Sequence, residues 1–275
     1  MNNIYKLSAF FKTKNGGNKA GVYINADKLK NQECQKIAKK IGFSETAFVS
    51  KSEKANFKVR FFTPTNQVDL CGHATIATFN LLRDLNLTQT DKIYTQETKA
   101  GILKIDIKTD RVFMEQPKPI YSEIIKKSEL KKCFNNIDFY KDLKPQILST
   151  GIREIFLPIK DNHSLNQLIP NYKEIIALSK KYNVIGIHAF SLSEEIDAYG
   201  RNFAPLVGIN EESATGTSNG ALSCYLYKYV IKKNNYILRQ GYSMNQPSEI
   251  TTKLETQNNN IVKVWVGGKA RIIQL

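Results

Sequence analysis

The sequence predicts an α+β protein with two pseudo-symmetric halves. Most patterned segments are short, alternating runs rich in β-branched and aromatic residues, which are typical of strands. One local arrangement also occurs twice, in residues 60–79 and 198–221: a strand, a loop with a proline nearby and a helix start with a glycine. We therefore expect two domains, each a mixed or antiparallel β-barrel-like sheet wrapped around a central α-helix.

The predicted N-terminal domain covers residues 1–117, and Pro117 and Pro119 mark its end. Its helices run from a cap at Asp27 to Gly42, and from Gly72 to Leu85, the central helix. Its predicted strands are Ile4–Phe11, Ala20–Ile24, Phe43–Val49, Phe57–Thr63, Ile93–Thr98, Gly101–Ile107 and Arg111–Gln116.

The predicted C-terminal domain covers residues 118–267, and a last strand at about 268–275 is a candidate to cross back into the first domain. We expect a lysine-rich helix near Ser122–Phe134, a helix at Asn171–Tyr182 and a long apolar helix after Gly216. The predicted strands are Gln146–Thr150, Glu154–Pro158, Val184–Phe190, Ala198–Val207, Tyr236–Gln240, Glu249–Glu255, Ile261–Gly267 and Ala270–Ile273.

Composition narrows the class of protein. With 275 residues, 41% hydrophobic and 10% aromatic, the chain is globular rather than disordered. Its four cysteines form no CxxC pair and its three histidines form no helical i, i+4 pair, so we expect no disulfide and no metal site. We also expect no membrane-spanning segment and a cytoplasmic location.

The net charge of +15 and the pI near 9.5 raise the question of nucleic-acid binding. The lysines are spread along the chain, however, and no compact patch of arginine and aromatic residues is present. We therefore expect no nucleic-acid partner. The positive charge should instead attract small anionic metabolites.

Two helix starts are candidate binding sites. The first N–H groups of a helix have no partner within the helix and attract carboxylates or phosphates. Gly72 and His73 form one such start, and Thr215, Gly216 and Thr217 form the other. If the two halves face each other, both starts converge on one cleft. The alternative is that His73 is an ordinary residue at a partly buried helix start.

Glu45 is the candidate acid. It lies within the apolar run Phe43–Val49, where a partly desolvated carboxyl suits a group that must take up and release a proton. The alternative is a glutamate at a strand edge that points to solvent. Asp69, Glu211 and Glu212 have a similar alternative, as loop acids or helix caps.

Four segments in this order resemble one family: GNKAGV at 17–22, FSETAFV at 43–49, RFFTPTNQVDLCGHAT at 60–75 and EESATGTSNG at 211–220. They are similar to segments of the PhzF-like isomerases of phenazine biosynthesis, which are relatives of diaminopimelate epimerase. The resemblance continues to VWVGGKARI near the C-terminus and so covers nearly the whole chain.

The resemblance implies the diaminopimelate epimerase-like fold with the active cleft between the domains. It also implies a homodimer and a cofactor-free, metal-free proton shift on a small carboxylate-bearing substrate. Glu45 takes the position of the proton-carrying acid, and His73 and Glu212 are further catalytic candidates. The substrate-binding candidates are Asn18, Gly72, Thr215, Gly216 and Thr217.

Some residues depart from the family pattern. Glu212 stands where Asp is usual, Thr217 where Ser is usual and Lys19 where Pro is usual, so the substrate stays open. The epimerase relatives use two cysteines. Here Cys71 takes the first place, but Thr215 takes the second, and its hydroxyl is a far weaker acid than a thiol.

Two other functions remain open at this point. One is an epimerase or racemase of the same superfamily. The other is a catalytically silent protein that binds a metabolite or a partner.

Overall fold

The computed structural model describes residues 3–274, so the first two residues and Leu275, which the predicted domain limits include, lie outside the described residues. The strands are β1 (Ile4–Ala9), β2 (Asn18–Tyr23), β3 (Glu45–Ser50), β4 (Phe57–Phe62), β5 (Gln67–Val68), β6 (Lys92–Thr98), β7 (Gly101–Ile107), β8 (Val112–Gln116), β9 (Ile120–Ile124), β10 (Phe134–Asn135), β11 (Gln146–Ser149), β12 (Arg153–Ile159), β13 (Ile169–Pro170), β14 (Ile187–Leu192), β15 (Ala198–Ala204), β16 (Ile209–Glu212), β17 (Asn235–Gln240), β18 (Ser248–Gln257), β19 (Asn260–Gly268) and β20 (Ala270–Gln274).

Among the described residues, α-helices are fewer than strands. They are α1 (Asn31–Ile41), α2 (Gly72–Asp84), α3 (Lys127–Leu130), α4 (Asn162–Asn166), α5 (Tyr172–Tyr182) and α6 (Gly216–Tyr229). Within residues 3–274, no helix has both the length and the apolar character needed to cross a bilayer. The predicted α+β class is confirmed.

The chain divides into two compact units, Met1–Glu115 with Gly267–Leu275, and Gln116–Val266. In the N-terminal unit, β20 and β1 are antiparallel, as are β1 and β2. Strands β2 and β3 are parallel, and β3 and β4 antiparallel. Strand β6 then pairs with β4 in parallel and with β7 antiparallel. The sheet is therefore mixed.

The C-terminal unit repeats this order of pairings. Strands β9 and β11 are antiparallel, as are β11 and β12. Strands β12 and β14 are parallel, and β14 and β15 antiparallel. Strand β17 pairs with β15 in parallel and with β18 antiparallel. Taken separately, the two units thus share one topology, as the predicted pseudo-symmetry requires.

A central helix fills each unit. Every residue of α2 from His73 to Leu82 is buried, and so is every residue of α6 from Ser218 to Tyr227. A helix that is buried on all sides must be enclosed by the rest of its unit. Some of its polar side chains bond to backbone carbonyls: Asn80 Nδ2, for example, donates to the Ile76 carbonyl at 2.8 Å and to the Gly268 carbonyl at 3.3 Å.

Two local predictions are wrong. Residues 120–124 form strand β9 and only Lys127–Leu130 is helical, because β9 finds backbone partners on β11 and Tyr121 donates to the Cys224 carbonyl at 2.9 Å. Tertiary pairing overrides the local helical pattern there. The cap of α1 is Lys30 rather than Asp27. The carboxylate of Asp27 instead accepts from the Lys51 N–H at 2.8 Å.

Candidate active site

Glu45 is the first residue of β3. The sequence predicted an interior position, within a strand at Phe43–Val49. Phe48 of the same strand packs with Cys34 and Ala38 of α1. Because side chains alternate along a strand, Glu45 lies on the opposite face, toward α2. Its side chain is 13% exposed.

His73 lies beside Glu45 in the first turn of α2. Its ring is buried, and Nε2 is 3.3 Å from Glu45 Oε2. Asn18, the first residue of β2, places its amide Nδ2 3.2 Å from His73 Nδ1. Ser44 Oγ is 3.4 Å from Nε2. The ring is therefore held from both of its nitrogen atoms.

Cys71 completes this group as the N-cap of α2. Its Sγ is 3.5 Å from His73 Nδ1 and 3.9 Å from Nε2. One ligand atom from each of Glu45, Cys71 and His73 lies within 4.8 Å of the other two. Spacing along the chain could not reveal this set, because its members come from a strand start, a cap and a helix turn.

One atom of the group lacks a hydrogen bond. Glu45 Oε2 is buried and has no hydrogen-bond partner, so its 3.3 Å contact with His73 does not have hydrogen-bond geometry. A buried carboxylate oxygen without a partner costs about 1–3 kcal/mol or more. Other buried atoms of the described residues also lack a partner, so the 3.3 Å contact with His73 is what distinguishes this one.

In the C-terminal unit, the start of α6 is built in a similar way. Thr215 is its N-cap, and its Oγ1 donates to Glu212 Oε2 at 2.6 Å. Gln240 Oε1 accepts from the Thr215 N–H at 3.2 Å, and Gln240 Nε2 donates to the Glu212 carbonyl at 2.7 Å. Glu212 and Thr215 are thus fixed as one unit by a buried glutamine.

Gly216 and Thr217 are the first two residues of α6. Gly216 is buried, Thr217 is partly exposed, and the Thr217 carbonyl accepts from Thr150 Oγ1 at 3.2 Å. Cys71 and Thr215 take the same place in their helices, since each is an N-cap with extended backbone angles. The second unit thus offers a hydroxyl where the first has a thiol.

Two other acids have structural partners. Glu211 makes a two-pronged ion pair with Arg201, at 2.8 Å and 2.9 Å. Asp69 is exposed and pairs with Lys99 at 2.9 Å. Both acids therefore have an ion-pair partner within the protein.

A family model described as "Phenazine biosynthesis-like protein" (PhzC-PhzF) matches residues 7–274. The chain belongs to the PhzC-PhzF family. A relative named as an uncharacterized isomerase of Clostridium acetobutylicum is 37% identical over 98% of this chain and 96% of its own. The crystal structure of a PhzF-family phenazine biosynthesis protein of Bacillus anthracis has a TM-score of 0.89 and 30% identity, over 98% of this chain and 96% of that one.

A more distant structure supports the fold alone. That of a predicted epimerase of Pseudomonas aeruginosa has a TM-score of 0.80 at 18% identity, and covers 100% of this chain and 98% of that chain. The resemblance stated from the four motifs is confirmed, as is the diaminopimelate epimerase-like fold. Relatives named as isomerases support an isomerase activity for this PhzC-PhzF member.

Sequence reasoning missed a fully buried acid in this PhzC-PhzF chain, Glu154. Glu154 lies on β12 on the same face as Phe156, which packs against α6. Its carboxylate accepts from Asn202 Nδ2 at 2.7 Å and from the hydroxyl of Ser218, in the first turn of α6. Burial is the main reason that the pKa of Glu154 is raised to about 7; the hydrogen bonds from Ser218 and Asn202 act against this rise, and nearby Glu212 adds a small contribution to it.

The same network includes a neutral histidine. Asn202 Nδ2 is also 3.2 Å from His188 Nδ1, and burial lowers the pKa of His188 to about 3. Glu45 became a candidate because it is an acid in an apolar strand-like run. Glu154 fits that criterion better, since it lies inside strand β12. The network itself has no sequence signal, since its four residues come from four separate elements.

Proposed function

We propose that this protein is a cofactor-independent isomerase that shifts a proton on a small carboxylate-bearing metabolite, with Glu45 as general acid and base. Family membership and relatives named as isomerases support the reaction class. The position of Glu45 at the start of a strand beside α2 supports its role, because a partly exposed carboxyl can reach a ligand.

The observation that carries the proposal is the buried Glu45 Oε2 without a hydrogen bond, 3.3 Å from the ring of His73. A general base needs an oxygen whose lone pair is free for the substrate proton. The neighbouring imidazole then orients the ligand or carries a proton as a second group.

The substrate carboxylate binds at a helix start in this proposal. Gly72 and His73 expose the first N–H groups of α2, which favour an anion and any enolate-like charge that develops. Gly216 and Thr217 present the corresponding groups of α6, with Glu212 and Thr215 beside them. We propose this second start as an anion-binding position as well.

The two-base epimerase alternative is weaker on chemical grounds. It needs an acid and a base of similar strength at the two equivalent caps, and here these are Cys71 and Thr215. A threonine hydroxyl does not ionise near neutral pH, whereas a thiol can. A single carboxyl that moves one proton between two carbons fits the residues better.

Thermal shift with a panel of small unsaturated carboxylic acids tests ligand recognition. We expect an acid that binds to raise Tm by several degrees, because binding to the folded state stabilises it. Its methyl ester, which lacks the anion, should raise Tm far less. Equal shifts for acid and ester would contradict carboxylate binding at a helix start.

The same screen distinguishes an isomerase from a catalytically silent protein that only binds the metabolite. An acid that stabilises the protein and is recovered unchanged after long incubation would favour the metabolite-binding alternative. A homodimer and a cytoplasmic location stay predictions from the resemblance and the composition.

A further inference from the structure

One nitrogen of the His73 ring faces hydrogen-bond donors. The Asn18 amide nitrogen Nδ2 is 3.2 Å from His73 Nδ1. Cys71 Sγ is also nearer to Nδ1, at 3.5 Å, than to Nε2, at 3.9 Å. An amide nitrogen only donates and a thiol donates weakly, whereas an imidazole nitrogen accepts only when it carries no hydrogen. The surroundings of Nδ1 therefore favour a nitrogen without hydrogen.

The other nitrogen of the ring faces oxygen atoms that can accept. Nε2 is 3.3 Å from Glu45 Oε2 and 3.4 Å from Ser44 Oγ. An ionised carboxylate only accepts, so an Nε2 without hydrogen would set its lone pair against that of Glu45. The His73 ring and Glu45 Oε2 are both buried, so water would screen this repulsion little. A hydrogen on Nε2 removes the repulsion.

The position of the hydrogen decides what His73 can do beside Glu45. A ring nitrogen without hydrogen is a base and would compete with Glu45 for a proton on carbon. A ring nitrogen with hydrogen is a donor and cannot take that proton. With its hydrogen on Nε2, His73 can donate to an oxygen of the ligand, and Glu45 is the base of the pair.

We propose that Asn18 is a positioning residue that fixes His73 in the tautomer with hydrogen on Nε2, so that His73 donates a hydrogen bond while Glu45 alone takes the substrate proton. The resemblance placed Asn18 among the substrate-binding candidates, and the structure gives its amide a partner within the protein. The division of roles between His73 and Glu45 rests on the proposed function. The tautomer itself does not.

Nitrogen-15 NMR of the histidine rings tests the tautomer in the protein without a ligand. The chain has three histidines, so the signals that disappear in His163→Ala and in His73→Gln identify all of them. At about pH 8, where an ordinary imidazole is neutral, we expect the His73 Nδ1 signal of a nitrogen without hydrogen and the Nε2 signal of a nitrogen with hydrogen. The reverse pattern would overturn the proposal.

Asn18→Asp replaces the donor at Nδ1 by a carboxylate of nearly the same shape, which only accepts. The Nδ1 signal should therefore become that of a nitrogen with hydrogen. With an acid that the thermal-shift screen identifies and the wild type converts, kcat should fall at least about tenfold, because a misplaced ring hydrogen disables a catalytic histidine. The rise in Tm on ligand binding should persist.

Asn15→Asp is the matched control, because Asn15 is exposed, lies close to Asn18 in the chain and undergoes the same change of charge. It should leave the His73 signals and kcat as in the wild type. His188 provides a comparison within each sample: Asn202 Nδ2 is 3.2 Å from its Nδ1, so its signals should not respond to changes at Asn18. An unchanged His73 Nδ1 signal in Asn18→Asp, or a changed signal with wild-type kcat, would overturn the proposal.

Circular dichroism shows whether Asn18→Asp is folded, and Asn18→Ala replaces it if it is not. Alanine removes the donor, so the His73 Nδ1 signal should still move, and an unmoved signal would contradict the contact. Failure of the proposed function looks different. Full turnover in Glu45→Gln would remove the catalytic role of Glu45 and keep the tautomer, whereas hydrogen on Nδ1 of the wild type with an inactive Glu45→Gln would do the opposite.

Discussion

Glu45→Gln is expected to lower turnover at least about a hundredfold, because general acid–base catalysis contributes typically 10²–10⁴-fold. The amide keeps the size of the side chain and removes its ability to accept a proton. Since Glu45 Oε2 makes no hydrogen bond in the protein, the substitution by glutamine should leave the fold and ligand binding intact. The rate of product formation measures the first effect and ligand-dependent Tm the second.

Glu53→Gln provides the matched control for this substitution. Glu53 is exposed and carries the same charge, so its variant changes net charge equally without touching the candidate site. Its turnover should stay within about twofold of wild type, since exposed charges have small effects. Similar rates for wild type and both variants would remove Glu45 from the mechanism.

Glu154→Gln is expected to change how stability depends on pH. In the folded protein the pKa of Glu154 is raised from an ordinary 4.5 to about 7, mainly by burial. The Glu154 carboxyl therefore binds its proton more tightly in the folded protein than in the unfolded chain. The free energy of unfolding of the wild type should fall as pH rises from about 4.5 to about 7, by on the order of 3 kcal/mol from this group.

The glutamine variant has no carboxyl to ionise at this position, so its free energy of unfolding should not show this fall with pH. It should also keep the hydrogen bonds to Asn202 and Ser218. Its Oε1 still accepts from Asn202, and its amide donates to the Ser218 hydroxyl, which accepts. His188, whose pKa burial lowers to about 3, titrates in both proteins and largely cancels in the comparison. Urea unfolding of both proteins at about pH 5 and about pH 8 measures the difference. A difference that does not change with pH would show that the Glu154 carboxyl is not perturbed.

The sequence was sufficient for features that depend on local pattern. Gly72 and Gly216 begin the two central helices as predicted, because a long run rich in apolar residues after a small-residue turn is a strong helix signal. The repetition of strand, loop and helix start predicted the two related topologies. The four motifs were enough to indicate the family.

Features that depend on tertiary contacts were not predictable. The grouping of Glu45 with Cys71 requires the parallel pairing of β2 with β3 and the packing of α2, neither of which appears in residue spacing. The strand at Ile120–Ile124 exists because β11 provides its partners. Glu154 had a usable signal, an acid within the apolar strand REIFLPI, but its partners Asn202 and Ser218 had none.

The most direct measurement is proton NMR of a bound substrate incubated in heavy water. If Glu45 moves the proton, wild type should form product, and one of its carbon-bound positions should acquire solvent deuterium to the extent that the carboxyl exchanges with solvent. Glu45→Gln should form labelled and unlabelled product at least about a hundredfold more slowly, although the ligand still raises its Tm. Product formation by Glu45→Gln at the wild-type rate would contradict the account.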